Sequence, residues 1–213
     1  PEMISPDSVL YREHPDWAIH IDEREGVQSR NQMVLDLSRD EVCEYVINAV
    51  SDILANANIE YVKWDMNRQL TDMPRLGYNH EYTLGYYKIM SAITEKFPNI
   101  LFEGCSAGGG RFDAGVLAYM PQIWTSDNSD AIARLKMQYS TSMCYPVYSI
   151  SSHVTASPNH QCGRDTSLKT RADVAYCGTF GYELDVTKMS DEEFEEIKAQ
   201  IKFEKRIQDL SLI

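Results

Sequence analysis

The chain has 213 residues, with 20 Lys and Arg against 32 Asp and Glu, which gives a formal net charge of −12 at pH 7. A charge of this sign repels phosphate backbones and anionic lipid surfaces, so we expect neither nucleic acid nor a membrane as a partner. Hydrophobic residues make up 43% of the sequence, and no apolar run approaches the roughly 18–20 residues of a membrane span, so the composition predicts a globular domain with a sizeable core.

The five cysteines are odd in number and widely spaced, which favours free thiols in a cytoplasmic protein over a disulfide framework. The sequence contains neither CxxC nor HExxH, so we expect no metal, and we expect no other cofactor. The first residues lack the basic and apolar regions of a signal peptide. Because the sequence opens on Pro1 without an initiator Met, we also expect an upstream part.

Helical and strand patterns alternate from residue 38 onward. Ser38 and Glu41 have the spacing of a capping box, and apolar residues then recur at helical intervals until a run rich in asparagine stops the helix. The β-rich run IEYVKW (59–64) predicts a strand. A second apolar stripe, which begins at Tyr82, predicts the next helix, and Pro98 ends it.

The same alternation continues to the end of the chain. We predict strands at 100–105, 122–126, 147–154 and 178–184, and helices at 129–142, at 168–177 and after a capping box formed by Ser190 and Glu193. Strands alternating with helices predict a parallel α/β sheet in one continuous domain. The order leaves an open doubly wound sheet and a closed (β/α)8 barrel as alternatives. A full barrel takes about 250 residues, so a barrel formed by these four or five units is incomplete.

The first candidate for chemistry lies where a strand ends. In IEYVKWDMN (59–67), the two-residue period of a strand places Lys63, Asp65 and Asn67 on one face, with Val62 and Trp64 on the other. A neighbouring cation favours the ionised carboxylate, which can then act as a nucleophile near neutral pH. A partly exposed ion pair at the end of a strand explains the segment equally well.

The second candidate follows the strand in QIWTSDNSDA (122–131). Asp127 comes directly after this strand, whereas Asp130 falls in the first turn of the next helix, where the helix dipole favours a carboxylate. We therefore interpret Asp130 as structural and Asp127 as the residue that projects into a cleft. Two carboxylates at neighbouring strand ends fit glycoside hydrolysis, in which one attacks the anomeric carbon and the other protonates the leaving oxygen.

Three other features admit competing interpretations. The loop GCSAGGGRFD (104–113) offers successive glycine amides to an anion, but no Gly-Lys-Ser/Thr ending follows and close approach to an uncharged polyol explains it equally well. Cys105 is either a nucleophile or, as is more common, a packed thiol at a strand end. We interpret His153 and His160 as loop residues that orient neighbours or line a pocket rim, with a base or metal ligand as the alternative.

Several long motifs resemble the catalytic barrel of glycoside hydrolase family 36, the microbial α-galactosidases. They are, in order, PEMISPDSVLYREHPDW (1–17), RNQMVLDLS (30–38), YVKWDMNR (61–68), FEGCSAGGGRFD (102–113), MPQIWTSDNSDA (120–131), SSHVTASPNH (151–160) and GTFGYELD (178–185). The resemblance implies a (β/α)8 TIM barrel, of which residues 1–213 hold about strands 4 to 8 with their helices. It also implies retaining hydrolysis of terminal α-linked galactose in melibiose- or raffinose-like oligosaccharides.

By the same resemblance, Asp65 corresponds to the nucleophile and Asp127 to the general acid/base. The residues that match positions lining the galactose subsite are Arg30, Lys63, Asn67, Cys105 and Gly108. The resemblance further implies that the full-length protein forms a homo-oligomer. Raffinose-synthase-like galactosyl transfer, α-N-acetylgalactosaminidase activity, an inactive sugar-binding remnant and, least favoured, a phosphate-binding module are the alternatives.

The sequence also departs from the family pattern. The family's N-terminal β-sandwich, its first three barrel strands with their paired sugar-binding aspartates, and its C-terminal β domain are absent from residues 1–213. We therefore expect the isolated 213 residues to have little activity. Ala107 occupies a position at which the family usually has glycine, a mild change that narrows the backbone freedom of the loop.

Overall fold

The computed structural model describes residues 2–24 and 26–208. It divides into two compact units, Pro1–Phe102 and Glu103–Ile213, and the boundary falls inside a strand. No helix in the described ranges is both long enough and apolar enough to cross a bilayer.

The first unit combines a small antiparallel pair with two long helices. Its elements are β1 (Met3–Ile4), α1 (Val9–Glu13), β2 (Met33–Val34), α2 (Asp40–Asn56), β3 (Tyr61–Asp65), α3 (Tyr78–Lys96) and the start of β4 (Leu101–Cys105). The pairing of β1 with β2, which places Met3 opposite Val34, was not predicted, because each strand has only two residues. The amide of Leu101 donates to the carbonyl of Glu60, so the start of β4 lies beside the start of β3.

The predicted helix after residue 38 is confirmed as α2, but its predicted capping box is wrong. The Ser38 hydroxyl donates to Asp36 Oδ1 over 2.6 Å, and Glu41 pairs with Arg39 over 2.7 Å. Arg39 is the N-cap residue and makes no side-chain capping bond. The same oxygen of Asp36 accepts a hydrogen bond from the Tyr78 hydroxyl, over 2.8 Å, and so links the start of α2 to α3.

The second unit consists of alternating strands and helices. After β4 come α4 (Ala114–Leu117), β5 (Gln122–Trp124), α5 (Ala131–Ser142), β6 (Ile150–Thr155), α6 (Leu168–Ala175), β7 (Thr179–Glu183) and α7 (Asp191–Ile207). Each strand pairs in parallel with the next, with Glu103 opposite Gln122, Trp124 opposite Ser151, and Ser151 opposite Thr179. Part of its core is a cluster of buried apolar side chains from β6, α6 and α7.

The strand order is β3-β4-β5-β6-β7, so sequential strands are neighbours. The predicted α/β class is thereby confirmed, and this order is consistent with part of a (β/α)8 barrel. The numbering of these strands as 4 to 8 stays a prediction. The capping box at Ser190 and Glu193 is present in full at the start of α7. Predicted strand 147–154 begins later, at Ile150, because residues 147–149 form a turn of 3-10 helix.

Candidate active site

Strand β3 carries two of the predicted site residues on one face. Lys63 and its predecessor on that face, Tyr61, are exposed, whereas Trp64 is buried on the opposite face and donates its indole N–H to Glu2 over 3.1 Å. Asp65 is the last residue of the strand. The predicted sharing of one face by Lys63 and Asp65 therefore follows from the regular alternation of the strand.

The two carboxylate oxygens of Asp65 have different surroundings. Oδ2 accepts a hydrogen bond from the side-chain amide of Asn67. Oδ1 is buried, and no donor within residues 2–24 and 26–208 reaches it. Buried polar atoms are nearly always satisfied, so Oδ1 has open hydrogen-bonding capacity for a group outside the described residues.

Arg30 lies at the tip of a tight hairpin. Ser29 and Gln32 exchange two backbone hydrogen bonds of 3.0 Å, and the two residues between them, Arg30 and Asn31, have φ angles of 55° and 57°. Positive φ at both central positions is the backbone of a two-residue type I′ turn. Arg30 is exposed at this turn.

A buried arginine ties this hairpin to the segment that follows Asp65. Arg68 Nε donates to the carbonyl of Gln32 over 3.3 Å, and its terminal nitrogens donate to Val27 O and Gln69 O. The sequence pattern gives Arg68 no role, although it belongs to the motif KWDMNR (63–68). Its position next to the strand end was the available signal.

The glycine-rich loop after β4 is closed by its own backbone. The amide of Ser106 donates to Gly108 O over 2.8 Å, that of Gly110 to Ser106 O over 3.2 Å, and that of Gly109 to Thr125 O over 3.1 Å. Because these three amides already donate to carbonyls, they are not available to cradle an anion. This geometry argues against the phosphate-binding alternative.

The same loop lies directly against the segment after β5. A Cβ atom on Gly108 would come within 2.8 Å of Ser126 Cα, and one on Gly109 within 2.8 Å of Thr125 O. Two predicted site residues thus lie together, because Gly108 packs beside the backbone that leads into Asp127. Cys105, the last residue of β4, is buried, as expected of a packed thiol at a strand end. Ala107 has a φ of 47°, so the alanine occupies a left-handed conformation that favours glycine.

The segment after Asp127 enters α5 as predicted. Asp130 is the N-cap of α5, and its carboxylate accepts from the amide of Ala133 over 3.0 Å and pairs with Arg164 over 2.5 Å. The prediction that Asp130 lies at the start of this helix and supports it is confirmed, although its Oδ1, like that of Asp65, is buried without a donor in the described part of the chain. The side chain of Asp127 is exposed.

A loop that sequence reasoning left without a role also contacts this segment. Gln161, between β6 and α6, donates its side-chain amide to the carbonyl of Asp127 over 2.6 Å and accepts from the amide of Ser129 over 3.0 Å. The two segments are more than thirty residues apart in the sequence, so no local pattern identifies the contact.

A stacked group lies at the end of β5. The guanidinium carbon of Arg134 lies 3.9 Å from the ring centre of Trp124, and the ring of His153 lies 4.7 Å from it. Burial lowers the pKa of Arg134 to about 10, and nearby carboxylates, first among them Glu183, oppose this shift. The prediction that His153 is a loop residue is wrong, because it lies within β6, where its side chain stacks on the neighbouring strand. His160 does lie in the loop after β6.

No group of three or more His, Cys, Asp or Glu side chains among the described residues has the arrangement of a metal site. The predicted site residues are divided between the two compact units. Arg30, Lys63, Asp65 and Asn67 belong to the first unit, and Cys105, Gly108 and Asp127 belong to the second.

Comparison with known proteins identifies the family. The profile of the melibiase family matches residues 1–213. The α-galactosidase AgaA of Geobacillus stearothermophilus is 53% identical over 99% of this chain, and its crystal structure superposes with a TM-score of 0.96. The bifunctional α-galactosidase/sucrose kinase AgaSK of Mediterraneibacter gnavus is 52% identical over 99% of this chain and 22% of its own length.

A variant of AgaA has been crystallised in complex with raffinose, and this structure is 52% identical to the chain, covers 99% of it and has a TM-score of 0.96. The chain spans 30% of AgaA, both in sequence and in these structures. Identity at this level over nearly all of the 213 residues shows that the chain belongs to the melibiase family, the α-galactosidases of glycoside hydrolase family 36.

Proposed function

We propose that the full-length protein containing this chain hydrolyses terminal α-linked galactose from oligosaccharides such as raffinose and melibiose, with retention of configuration at the anomeric carbon. The relatives that support this are named α-galactosidases at about half identity, and one of them binds raffinose in the crystal. The residues of this chain supply the two carboxylates that the reaction needs.

The observation that carries the proposal is the environment of Asp65. Asn67 holds Oδ2 in place, while Oδ1 is buried at the strand end without a donor in the described part of the chain. A carboxylate that is oriented through one oxygen and open at the other suits nucleophilic attack. In the first step, Asp65 forms a bond to the anomeric carbon as the bond from that carbon to the leaving oxygen breaks.

Asp127 is proposed as the general acid/base. Its exposed carboxylate lies on a segment whose backbone is held by the glycine loop and by Gln161. In the first step it gives its proton to the leaving oxygen. In the second step it takes a proton from a water molecule, which attacks the anomeric carbon and releases Asp65 from the covalent intermediate.

The galactose subsite is proposed to include Arg30, Lys63, Asn67, Cys105 and Gly108. Arg30 and Lys63 carry charged donors that suit sugar hydroxyls, and the side-chain amide of Asn67 is both donor and acceptor. Gly108 has no side chain, so its backbone is able to lie close to a bound sugar. Cys105 contributes a small apolar side chain at the end of β4.

Substitution of the two aspartates tests the roles. We expect Asp65→Ala to abolish turnover of raffinose and of p-nitrophenyl α-galactoside alike, because no glycosyl-enzyme forms with either. Asp127→Ala is expected to abolish turnover of raffinose, to retain activity on the aryl substrate, whose leaving group needs little protonation, and to be partly rescued by azide. Equal losses on both substrates in Asp127→Ala would contradict the assignment.

Two further measurements check the stereochemistry. A fluorinated galactoside that traps the covalent intermediate should label Asp65 in the full-length protein. A crystal structure of that protein should place the carboxyl groups of Asp65 and Asp127 about 5–5.5 Å apart, whereas a separation of about 6.5–9.5 Å indicates inversion.

A further inference from the structure

We infer that Gln161 is a positioning residue for the carboxylate of Asp127: its side-chain amide fixes the backbone that carries this group. The inference rests on the proposed function, because it gives Asp127 the role of general acid/base. Gln161 acts through the main chain and is not itself placed against the substrate.

The side-chain amide of Gln161 pairs with the backbone after Asp127 as the main chain of a neighbouring strand would, through one donated and one accepted hydrogen bond. Gln161 Nε2 donates to the carbonyl of Asp127 over 2.6 Å, and Gln161 Oε1 accepts from the amide of Ser129 over 3.0 Å. The carbonyl and the amide belong to residues two apart, so one planar amide group spans the backbone torsions between them. These are the φ and ψ torsions of Asn128, so the contact fixes the peptide group that directly follows the Cα atom of Asp127.

A buried asparagine, Asn159, binds the backbone of Gln161 through hydrogen bonds. Asn159 is 4% exposed, and its Oδ1 accepts from the backbone amides of Gln161 and Cys162 over 3.0 and 3.2 Å. Its Nδ2 donates to Ser129 Oγ over 3.1 Å. Asn159 therefore fixes the start of the Gln161 side chain to the same segment that the end of that side chain binds.

Two more bonds join the same loops and show that the contact is not isolated. The Thr155 hydroxyl, at the end of β6, donates to the carbonyl of Ser129 over 3.0 Å. Arg164 pairs with the buried N-cap residue Asp130 over 2.5 Å. Residues 127–130 are thus bonded along their length to the end of β6 and the loop after it, and Gln161 makes the bond to the carbonyl of Asp127 itself.

This arrangement has a specific chemical consequence. A general acid must lie within hydrogen-bond reach of the leaving oxygen, and a displacement of about 1 Å costs on the order of 100-fold in rate. Loss of the Gln161 contact should therefore reduce proton transfer rather than nucleophilic attack. Substrates whose leaving groups need protonation will be affected, and activated ones will be spared.

Gln161 is exposed, so truncating its side chain leaves no cavity and should cost little stability, which makes the test practicable. In the full-length protein, Gln161→Ala should lower kcat/KM for melibiose about 10- to 100-fold and for p-nitrophenyl α-galactoside less than about 3-fold. Gln161→Glu keeps the acceptor for Ser129 but cannot donate to Asp127, and it should show the same selectivity. Gln200→Ala is the control for lost stability alone, since it removes a buried glutamine, 6% exposed, from α7 and should lower stability without this selectivity.

Hydrogen exchange tests the contact without reference to activity. The amide of Ser129 should exchange faster in Gln161→Ala than in the wild type, and unchanged exchange overturns the inference. Equal losses of kcat/KM on melibiose and the aryl substrate in both Gln161 variants also overturn it. If Asp127→Ala shows no difference between the two substrates, the proposed function of Asp127 fails, and the positioning role fails with it, whatever Gln161→Ala does to exchange.

Discussion

The backbones of Gly108 and Asp127 lie too close together for a side chain between them: a Cβ atom on Gly108 would lie 3.1 Å from the main-chain nitrogen of Asp127. Gly108 also has a φ of 88°, which a residue with a side chain adopts only at a cost. Two independent features therefore require glycine at this position: the positive φ angle, and the closeness of the segment after β5.

Gly108→Ala is predicted to lower the free energy of unfolding by about 2–4 kcal/mol, because strain in φ adds to the displacement of backbone atoms. Gly163→Ala is the matched control. Gly163 has a φ of 68°, but nothing lies within 4 Å of its Cβ position, so only the strain of about 1 kcal/mol applies. Denaturant unfolding of both variants measures the difference, and equal costs would show that the contact with Asp127 contributes nothing.

Arg30→Ala is predicted to lower kcat/KM about 10- to 100-fold through the loss of a charged hydrogen bond to substrate. Asn31→Ala gives the comparison, because Arg30 and Asn31 occupy the same turn with φ angles of 55° and 57°. Both substitutions place alanine in nearly the same backbone conformation. Steady-state kinetics that show equal losses for the two variants would assign the effect to the turn and not to the guanidinium group.

Asp130→Ala is predicted to destabilise the protein by about 1–3 kcal/mol, because α5 loses its N-cap and Arg164 loses its partner. Asp130→Asn keeps an acceptor for the amide of Ala133 and should cost less. Thermal or denaturant unfolding distinguishes them. An asparagine variant as unstable as the alanine variant would indicate that the charge of Asp130, and not its capping bond, provides the stabilisation.

Tyr78→Phe is predicted to reduce stability in a pH-dependent manner. Burial, followed by the hydrogen bond to Asp36, raises the pKa of Tyr78 above its ordinary value of about 10. Because the folded chain holds this proton more tightly, the stabilisation is complete below about pH 10 and is lost as the pH rises above it.

At pH 8 the variant should be less stable than the wild type by about 1–2 kcal/mol, and the difference should shrink towards pH 11. Denaturant unfolding at a series of pH values measures it. Tyr139→Phe, at a position 67% exposed on α5, serves as the control and should show no such difference. A gap between wild type and Tyr78→Phe that is constant with pH would contradict the argument.

The parts of the site that follow from local pattern were predictable from the sequence. Strand alternation places Lys63 and Asp65 on one face, and the position of Asp130 at the start of α5 separates it from Asp127. Such features depend on residues within a few positions of each other. The catalytic roles, the cytoplasmic location and the homo-oligomer stay predictions.

The features that the sequence does not predict, or predicts wrongly, depend on hydrogen bonds between residues that compete for the same partner or lie far apart in the sequence. Ser38 has the spacing of a capping residue, but its hydroxyl is taken by Asp36, which α3 also binds through Tyr78. Gln161 lies in a polar loop, and its partners lie on a segment more than thirty residues earlier. Sequence spacing carries no information on which of two possible hydrogen bonds a side chain will make once the loops are folded.

The stacking of Arg134 and His153 on Trp124 gives the protein an intrinsic optical probe. The emission of an indole ring responds to groups that contact the ring, and both Arg134 and His153 lie within 5 Å of this one. Trp124 ends β5, three residues before Asp127. The emission of Trp124, isolated as the difference between wild type and Trp124→Phe, therefore reports on the strand that delivers Asp127 without any label being attached.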